Sequence, residues 1–437
     1  MQYTITKHQT MDFQKKGWLK QYIQTRNYYT LHREFERVTA LKATNRQHEQ
    51  MLYELIQPTG LLYGYPAQLP FEYEALLKAL NTEKLPAQAK NKIILLESLL
   101  YSALTSSRYQ QLESEIDVAD AFLEAAYRVG AYYKAVYRNL DTQYRTMFLR
   151  RERRGINLTE YILDSRTNYA TKEGKFWSVF VNSSLLFVDV LFFHPWIAKH
   201  QSPEAAQAVV QQHEDIRLLL LKTMIVAAYA NQTIEKEERQ LVDYYLKAAL
   251  LSEEARNRSL ALLEEGMSLA DIDIATVSSP VLKKYLLELA VLVVSADNII
   301  TESEESFIDA FCQKLGLPTE EAEASILTVE SFMYAHWQEI GYPRHRDEPD
   351  ALRQHLLARL KKIGTTYQKQ LKKLVRQDES LYQLLQAARQ SQLPTHDRKK
   401  LRQGLLNAFG QLPTFTPDTL PASFLTYSVL LEITPEI

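Results

Sequence analysis

The sequence predicts an all-α protein: a multi-domain helical bundle with a duplicated helical hairpin in its middle. Three observations predict it. Glycine is scarce, 12 in 437 residues, where ordinary usage gives about 30; phosphate loops, tight hairpins and α/β crossovers all need glycine's positive φ or close backbone approach. Apolar residues recur with the helical period. A gapless internal repeat reads, in each copy, as helix, short loop, helix.

Residues 1–200 read as a first helical domain. Ile94, Leu95, Leu99, Ala103 and Leu104 fall on one face of a helix, and so do Phe122, Ala126, Val129, Tyr133 and Tyr137. Breakers stand at Gln57-Pro58-Thr59-Gly60, Tyr65-Pro66, Leu85-Pro86 and His194-Pro195. The last of these, with Ser202-Pro203 behind it, marks the domain boundary. Phe176 to Ala198 is strongly apolar, but Asn182, Asp189, His194 and Pro195 interrupt it. An ionised Asp189 at a bilayer centre costs about 3 kcal/mol, so this segment is expected to be a buried helix. The polar start, Met1 to Met11, lacks the apolar core of a signal peptide. A single cysteine, Cys312, allows no internal disulfide and suits a reducing compartment. The expected location is cytoplasmic or peripheral on the inner membrane face.

Residues 205–335 hold the repeat, 220–254 against 286–320 at an offset of 66. Each copy runs an apolar helix to an alanine (Ala230, Ala296), then an isoleucine four residues on (Ile234, Ile300), then a glutamate four further (Glu238, Glu304). Leu241, Val242, Tyr245 and Leu246 then match Phe307, Ile308, Phe311 and Cys312. An isoleucine in a short interhelix loop pins the loop to a core. A glutamate in the next helix's first turn favours the positive helix end and suits a capping box.

Residues 341–350 read as a linker, and 350–437 as a basic third domain with an apolar tail. Leu360, Ile363, Tyr367, Leu374, Leu381 and Leu384 fit the seam of one long helix, which Gln370 and Gln377 interrupt. Leu393-Pro394-Thr395 ends that helix, and Thr395 caps the next. The apolar run Phe424 to Ile433 is too short to span a membrane. Charge is segregated: 201–350 holds 12 Lys and Arg against 27 Asp and Glu, a net −15, whereas 351–410 holds 13 against 3, a net +10. A basic module of this kind suits an anionic partner, unless the two regions dock on each other.

No phosphate loop, His-Glu-x-x-His pair, nucleophile elbow or cysteine pair is present. His194 and His200, the nearest histidines on one local segment, sit beside a proline. No catalytic residue is expected, and the protein reads as a non-enzyme. Around the repeat loops, Asp297, Asn298, Glu302, Glu304 and Glu305 in the second copy, and Asn231, Glu235 and Glu238 in the first, are oxygen donors suited to a hard cation, calcium or magnesium. The alternative for the same glutamates is helix capping. Lys369, Lys372, Lys373, Arg376, Arg398, Lys399, Lys400 and Arg402 form the candidate surface for an anionic partner. Arg150-Arg151-Glu152-Arg153-Arg154 is a further basic cluster.

Two resemblances follow from these motifs. The repeated Ala-Asp-Gly-x-Ile-x-x-x-Glu pattern resembles the tellurite-resistance TerB-like family of helical domains. Ala296, Asp297, Ile300 and Glu304 match it in copy two, and Ala230, Ile234 and Glu238 in copy one. That resemblance implies divalent-cation binding at the two loops. This chain departs from it: Asn298 and Gln232 stand where glycine is usual, and Asn231 replaces the first aspartate, which weakens a cation site. The stretch Asp378-Glu379-Ser380-Leu381-Tyr382, then Leu393-Pro394, Arg398-Lys399-Lys400-Leu401-Arg402 and Leu412-Pro413, with Lys15-Lys16-Gly17-Trp18-Leu19 near the start, resembles bacterial, biofilm-associated relatives of the leucine-zipper/EF-hand-containing mitochondrial inner-membrane protein. It implies a ribosome-binding-like, membrane-associated domain. The chain lacks the strongly apolar Pro-Gly-rich stretch usual after the basic helix and has Phe415-Thr416-Pro417-Asp418 there. Together the expected function is a non-enzymatic helical adaptor that meets a membrane or ribosome surface, or a protein partner, through its C-terminal part. The alternative is a cation-binding or cation-sensing module.

Overall fold

The computed structural model describes residues 11–40, 45–63, 68–70, 74–104, 114–137, 151–167, 176–200, 202–231, 234, 236–249, 251–295, 300–337 and 349–437. Among the described residues there are 18 α-helices and no strand, so the all-α prediction is met. The chain divides into two compact units. The first comprises 1–222 with 240–265, the second 223–239 with 266–437.

The first unit holds α1 (Trp18–Ala40), α2 (Asn45–Ile56), α3 (Glu74–Leu80), α4 (Ala87–Leu104), α5 (Glu115–Val136), α6 (Arg151–Thr167) and α7 (Phe176–Lys199). It also takes most of α8 (Pro203–Ala228), most of α9 (Lys236–Ala248) and α10 (Glu253–Glu265). Helix α4 is its axis, buried continuously from Asn91 to Leu104. A helix enclosed on all sides can carry apolar residues all round, which Ile93 to Leu96 do. It packs against α2, α5, α6 and α7. Helices α5 and α6 cross at two glycines: a Cβ on Gly155 would lie 2.4 Å from the Tyr127 Cβ, and one on Gly130 2.8 Å from Leu158. The close approach lets the Thr159 hydroxyl accept from Gly130 N at 2.9 Å while donating to Ala126 O at 2.6 Å.

The Lys15–Leu19 motif is a structural anchor in this unit. Glu160 accepts from the amides of Gly17 (2.7 Å) and Leu19 (3.0 Å) at the start of α1, where a carboxylate opposes the positive helix end. Buried Trp18 donates to Asp164 at 3.1 Å. The segment Phe176–Ala198 is the expected helix, and its described side chains are largely buried, Asp189 among them. Pro195 is not the breaker expected at His194-Pro195, since the helix runs through it to Lys199. Proline there forfeits one backbone bond, but packing of Phe193, Trp196 and Ile197 in the core holds the turn. Ser202-Pro203 does open the next helix, with proline in its first turn.

The second unit is built on α11 (Pro280–Val294), again enclosed, with only Lys283 and Lys284 of its first turns reaching the surface between Val281 and Val294. Ser279 caps it, accepting from Leu282 N at 3.1 Å. It packs on α12 (Glu302–Leu315) and α13 (Glu320–Ala335), and α13 packs on α14 (Pro349–Thr366). The single long basic helix expected after 350 is instead three: α14, α15 (Gln368–Gln377) and α16 (Glu379–Gln390). Asp378 makes the second break by capping α16, accepting from Leu381 N at 3.0 Å. Of the expected seam, Leu360, Ile363 and Leu381 are buried, while Tyr367, Leu374 and Leu384 are half-buried. Leu371, Val375 and Leu385 take the buried places instead. Thr395 is the first residue of α17 (Thr395–Phe409) and caps nothing; Pro394 precedes it. The apolar tail belongs to the core: Phe424 and, on α18 (Tyr427–Ile433), Val429, Leu430 and Ile433 are buried among Leu356, Leu360, Leu401, Leu405 and Phe409. A Cβ on Gly364 would lie 2.4 Å from Ile433 O, so glycine lets the chain end pass against α14.

Candidate functional site

The repeat loops come first. Each copy is helix, loop, helix, with Glu238 and Glu304 at the third position of α9 and α12. Both are buried. Ile300 is buried and Ile234 half-buried. In the second copy the Glu304 carboxylate accepts from the Thr301 amide (2.8 Å) and hydroxyl (2.9 Å), a capping box that ties the loop to α12. Glu305 is held by α14: Oε1 meets Arg359 at 2.8 Å and Oε2 meets Lys362 at 3.5 Å. Burial alone raises its carboxyl, but Arg359 and then Lys362 outweigh that and hold it below the ordinary carboxylate range. Glu302 and Asn231 are exposed. Asp297, Asn298 and Glu235 lie outside the described residues. Among the described residues no group of three or more His, Cys, Asp or Glu is arranged to hold a metal ion.

The basic face is built on α15 and α17, which pack together. Leu371 and Val375 of α15 and Leu401, Leu405 and Phe409 of α17 point into the core. The period of the helix then sends Lys369, Lys373, Arg376, Lys399 and Lys400 to the surface, with Lys372 half-buried. Arginines and lysines divide their work. Arg398 donates to Leu393 O (2.7 Å) and Arg402 to Leu425 O (2.6 Å), and Arg376 lies 5.7 Å from the Tyr382 ring centre. Lys369, Lys372, Lys373, Lys399 and Lys400 form no ion pair with any described residue.

Acidic and basic regions do dock within the second unit, through other residues. Buried Arg359 of α14 donates Nε to Glu330 (3.1 Å), Nη1 to Glu323 (3.0 Å) and Nη2 to Glu305 (2.8 Å). His355 adds a contact to Glu330 at 3.1 Å. One guanidinium fork satisfied by three carboxylates pins α14 to α12 and α13. Sequence offered no signal that Arg359 differs from the other basic residues of 351–410.

The first unit contains a polar cluster that residue patterns did not reveal. Asp189, fully buried, accepts from Tyr137 (2.6 Å) and Arg166 (3.2 Å) and lies 2.9 Å from His213 Nε2. Burial pushes its carboxyl up, but Arg166, then His213 and Tyr137, outweigh burial and keep it ionised below the usual range. Its partners stand 23 to 52 residues away in sequence, beyond any local motif. The Arg150–Arg154 cluster has Arg150 outside the described residues, and the side chains of the other four are likewise not described. Cys312 is buried, and burial pushes its thiol up to about 11, which removes it as a nucleophile near neutral pH.

Fold and site together define an all-α protein with a repeated helix pair, capped in its second copy, and a lysine-rich C-terminal face. Residues 170–326 match the sequence profile of a family described as Protein of unknown function (DUF533), which is TerB-like. Neither a curated protein nor a solved structure matches the chain. Among the described residues no helix is long and apolar enough to cross a membrane.

Proposed function

We propose that the chain is a non-enzymatic helical adaptor whose C-terminal helices bind an anionic surface, either a ribosome or an anionic membrane. One observation carries this reading. Five lysines on two adjoining helices stay unpaired with any described residue, while Arg359 and Lys362 of the same unit are tied to carboxylates. Unpaired ammonium groups on a rigid surface release condensed counterions when they meet phosphates, and that release supplies much of the affinity. The cation-module alternative has less support, because Glu304 serves the cap and Glu305 faces Arg359 and Lys362. The test is co-sedimentation of the full chain with purified ribosomes and with anionic liposomes. Binding at low salt should fall steeply as salt rises, and the variant K369Q/K372Q/K373Q/K399Q/K400Q should not pellet with the surface that binds. Absence of low-salt binding to either surface would remove the adaptor reading.

A further inference from the structure

We infer that the first unit is an acid-sensitive element: on mild acidification it opens at its buried histidines while the second unit stays folded. The observation is three histidines in the core of one unit, His48, His194 and His213, all of them buried. His213 on α8 has no exposed surface. Its Nε2 faces Asp189, and the rings of Tyr132, Tyr137 and Phe192 stand nearly perpendicular to it, at 84–87°. Asp189 from α7 pairs with Arg166 from α6. Arg217, one turn along α8 from His213, donates to Ala249 O (2.5 Å) and Val136 O (3.4 Å). These carbonyls stand at the ends of α9 and α5, where helix termini each carry about half a negative charge. Tyr132, Tyr133 and Tyr137 from α5 are neutral, since burial first, and then Asp189, drives their hydroxyls well above the ordinary value.

The Nδ1 of His213 has no hydrogen-bond partner among the described residues. A second proton there would be buried, unpaired and close to two guanidinium groups. His48 and His194 present the same difficulty in another form. Their rings stack with centroids 4.1 Å apart, beside Tyr101, and His194 Nδ1 lies 3.1 Å from Ser102 O. Protonating both would set two like charges face to face. Burial holds all three below the ordinary histidine value, His48 down to about 3. A histidine depressed in the fold costs nothing above its unfolded value of 6.5. As pH falls below that, the unfolded chain takes protons that the folded unit refuses, and stability drains away. The second unit has no counterpart among its described residues: His336 and His355 are half-buried and His396 is exposed.

Hydrogen exchange of the full chain, read by mass spectrometry and corrected for intrinsic rates, tests this between about pH 7.5 and 5. Peptides from α5, α7 and the first five turns of α8 should lose protection as pH falls below 6.5, while peptides from 280–437 keep theirs. His213→Gln retains a donor toward Asp189 without a titrating ring and should lower the midpoint by about half a pH unit. Simultaneous loss in both units, unchanged protection of the first unit at pH 5, or a wild-type midpoint in His213→Gln would each overturn the inference. Should that variant fail to fold at pH 7.5, the wild-type difference between the two units decides alone.

Discussion

In the first unit a carboxylate with no exposed surface, Asp189, meets Arg166, Tyr137 and His213 inside the core. In the second, the buried member is a cation, Arg359, and two of its three carboxylate partners, Glu305 and Glu323, keep 29% and 22% of their side-chain surface in water. Both units are organised round one enclosed helix, α4 or α11, so the difference does not come from the apolar core. It lies in where polar groups end. The first unit folds its charge inward, with the Asp189 carboxylate held by Tyr137, Arg166 and His213. The second settles one guanidinium at the junction of its acidic and basic helices and leaves its lysines outside. A fully buried network raises the cost of losing any one member, whereas exposed lysines add little to stability and stay available to a partner.

Removing Asp189 should separate the two units most. Asp189→Ala leaves Arg166 buried without its carboxylate and should cost about 3–5 kcal/mol, measured by denaturant titration. The loss should appear first in α5–α7 by hydrogen exchange. Arg359→Met in the second unit should cost less, about 2–3 kcal/mol, because Glu305 and Glu323 can turn to water and buried Glu330 keeps His355 at 3.1 Å. Equal losses would show that partial exposure of the carboxylates does not matter. Packing gives a matched pair at lower cost. Gly155→Ala in the first unit and Gly364→Ala in the second each set a methyl 2.4 Å from a neighbour, and overpacking of this kind costs about 1–3 kcal/mol.

Acid should separate the units further. The Glu305 carboxyl is held low by its partners, outweighing its burial. Its contribution is therefore present above the unfolded value of 4.5 and is lost only as pH falls below that. The histidines of the first unit begin to withdraw stability from 6.5 downward. The smallest expected effect is Thr301→Ala, which removes half of the capping box and should cost about 1 kcal/mol with no change in salt-dependent binding. A change in binding would tie the repeat loop to the partner surface.

Much of the fold was legible because its signals are local. Scarce glycine, the periodicity of Ile94 to Leu104 and the matched Ile300 and Glu304 each act over one or two helical turns. The capping box at Thr301 and Glu304 needs only a spacing of three. What was not legible depended on partners distant in sequence. Pro195 looked like a terminator because sequence cannot show the core that holds its helix together. The three-way break of the basic segment was masked by leucine spacing, although Asp378 carried the cap signal in plain sight. Arg359 and Lys373 look alike as residues; only the packing of α14 on α13 buries one, and the turn of α15 exposes the other. The Asp189 cluster required four separate helices to converge, and no composition or spacing foretells that.

One variant separates the charges that hold the fold in the first unit from the lysines that serve a partner in the second. K369Q/K372Q/K373Q/K399Q/K400Q should keep the denaturation midpoint of the wild-type chain, because none of the five pairs with a described residue. In the same preparation it should lose low-salt association with the ribosome or anionic liposome that binds the wild type. A lowered midpoint would place these lysines in the structure, and unimpaired association with an intact fold would show that they do not serve the partner surface.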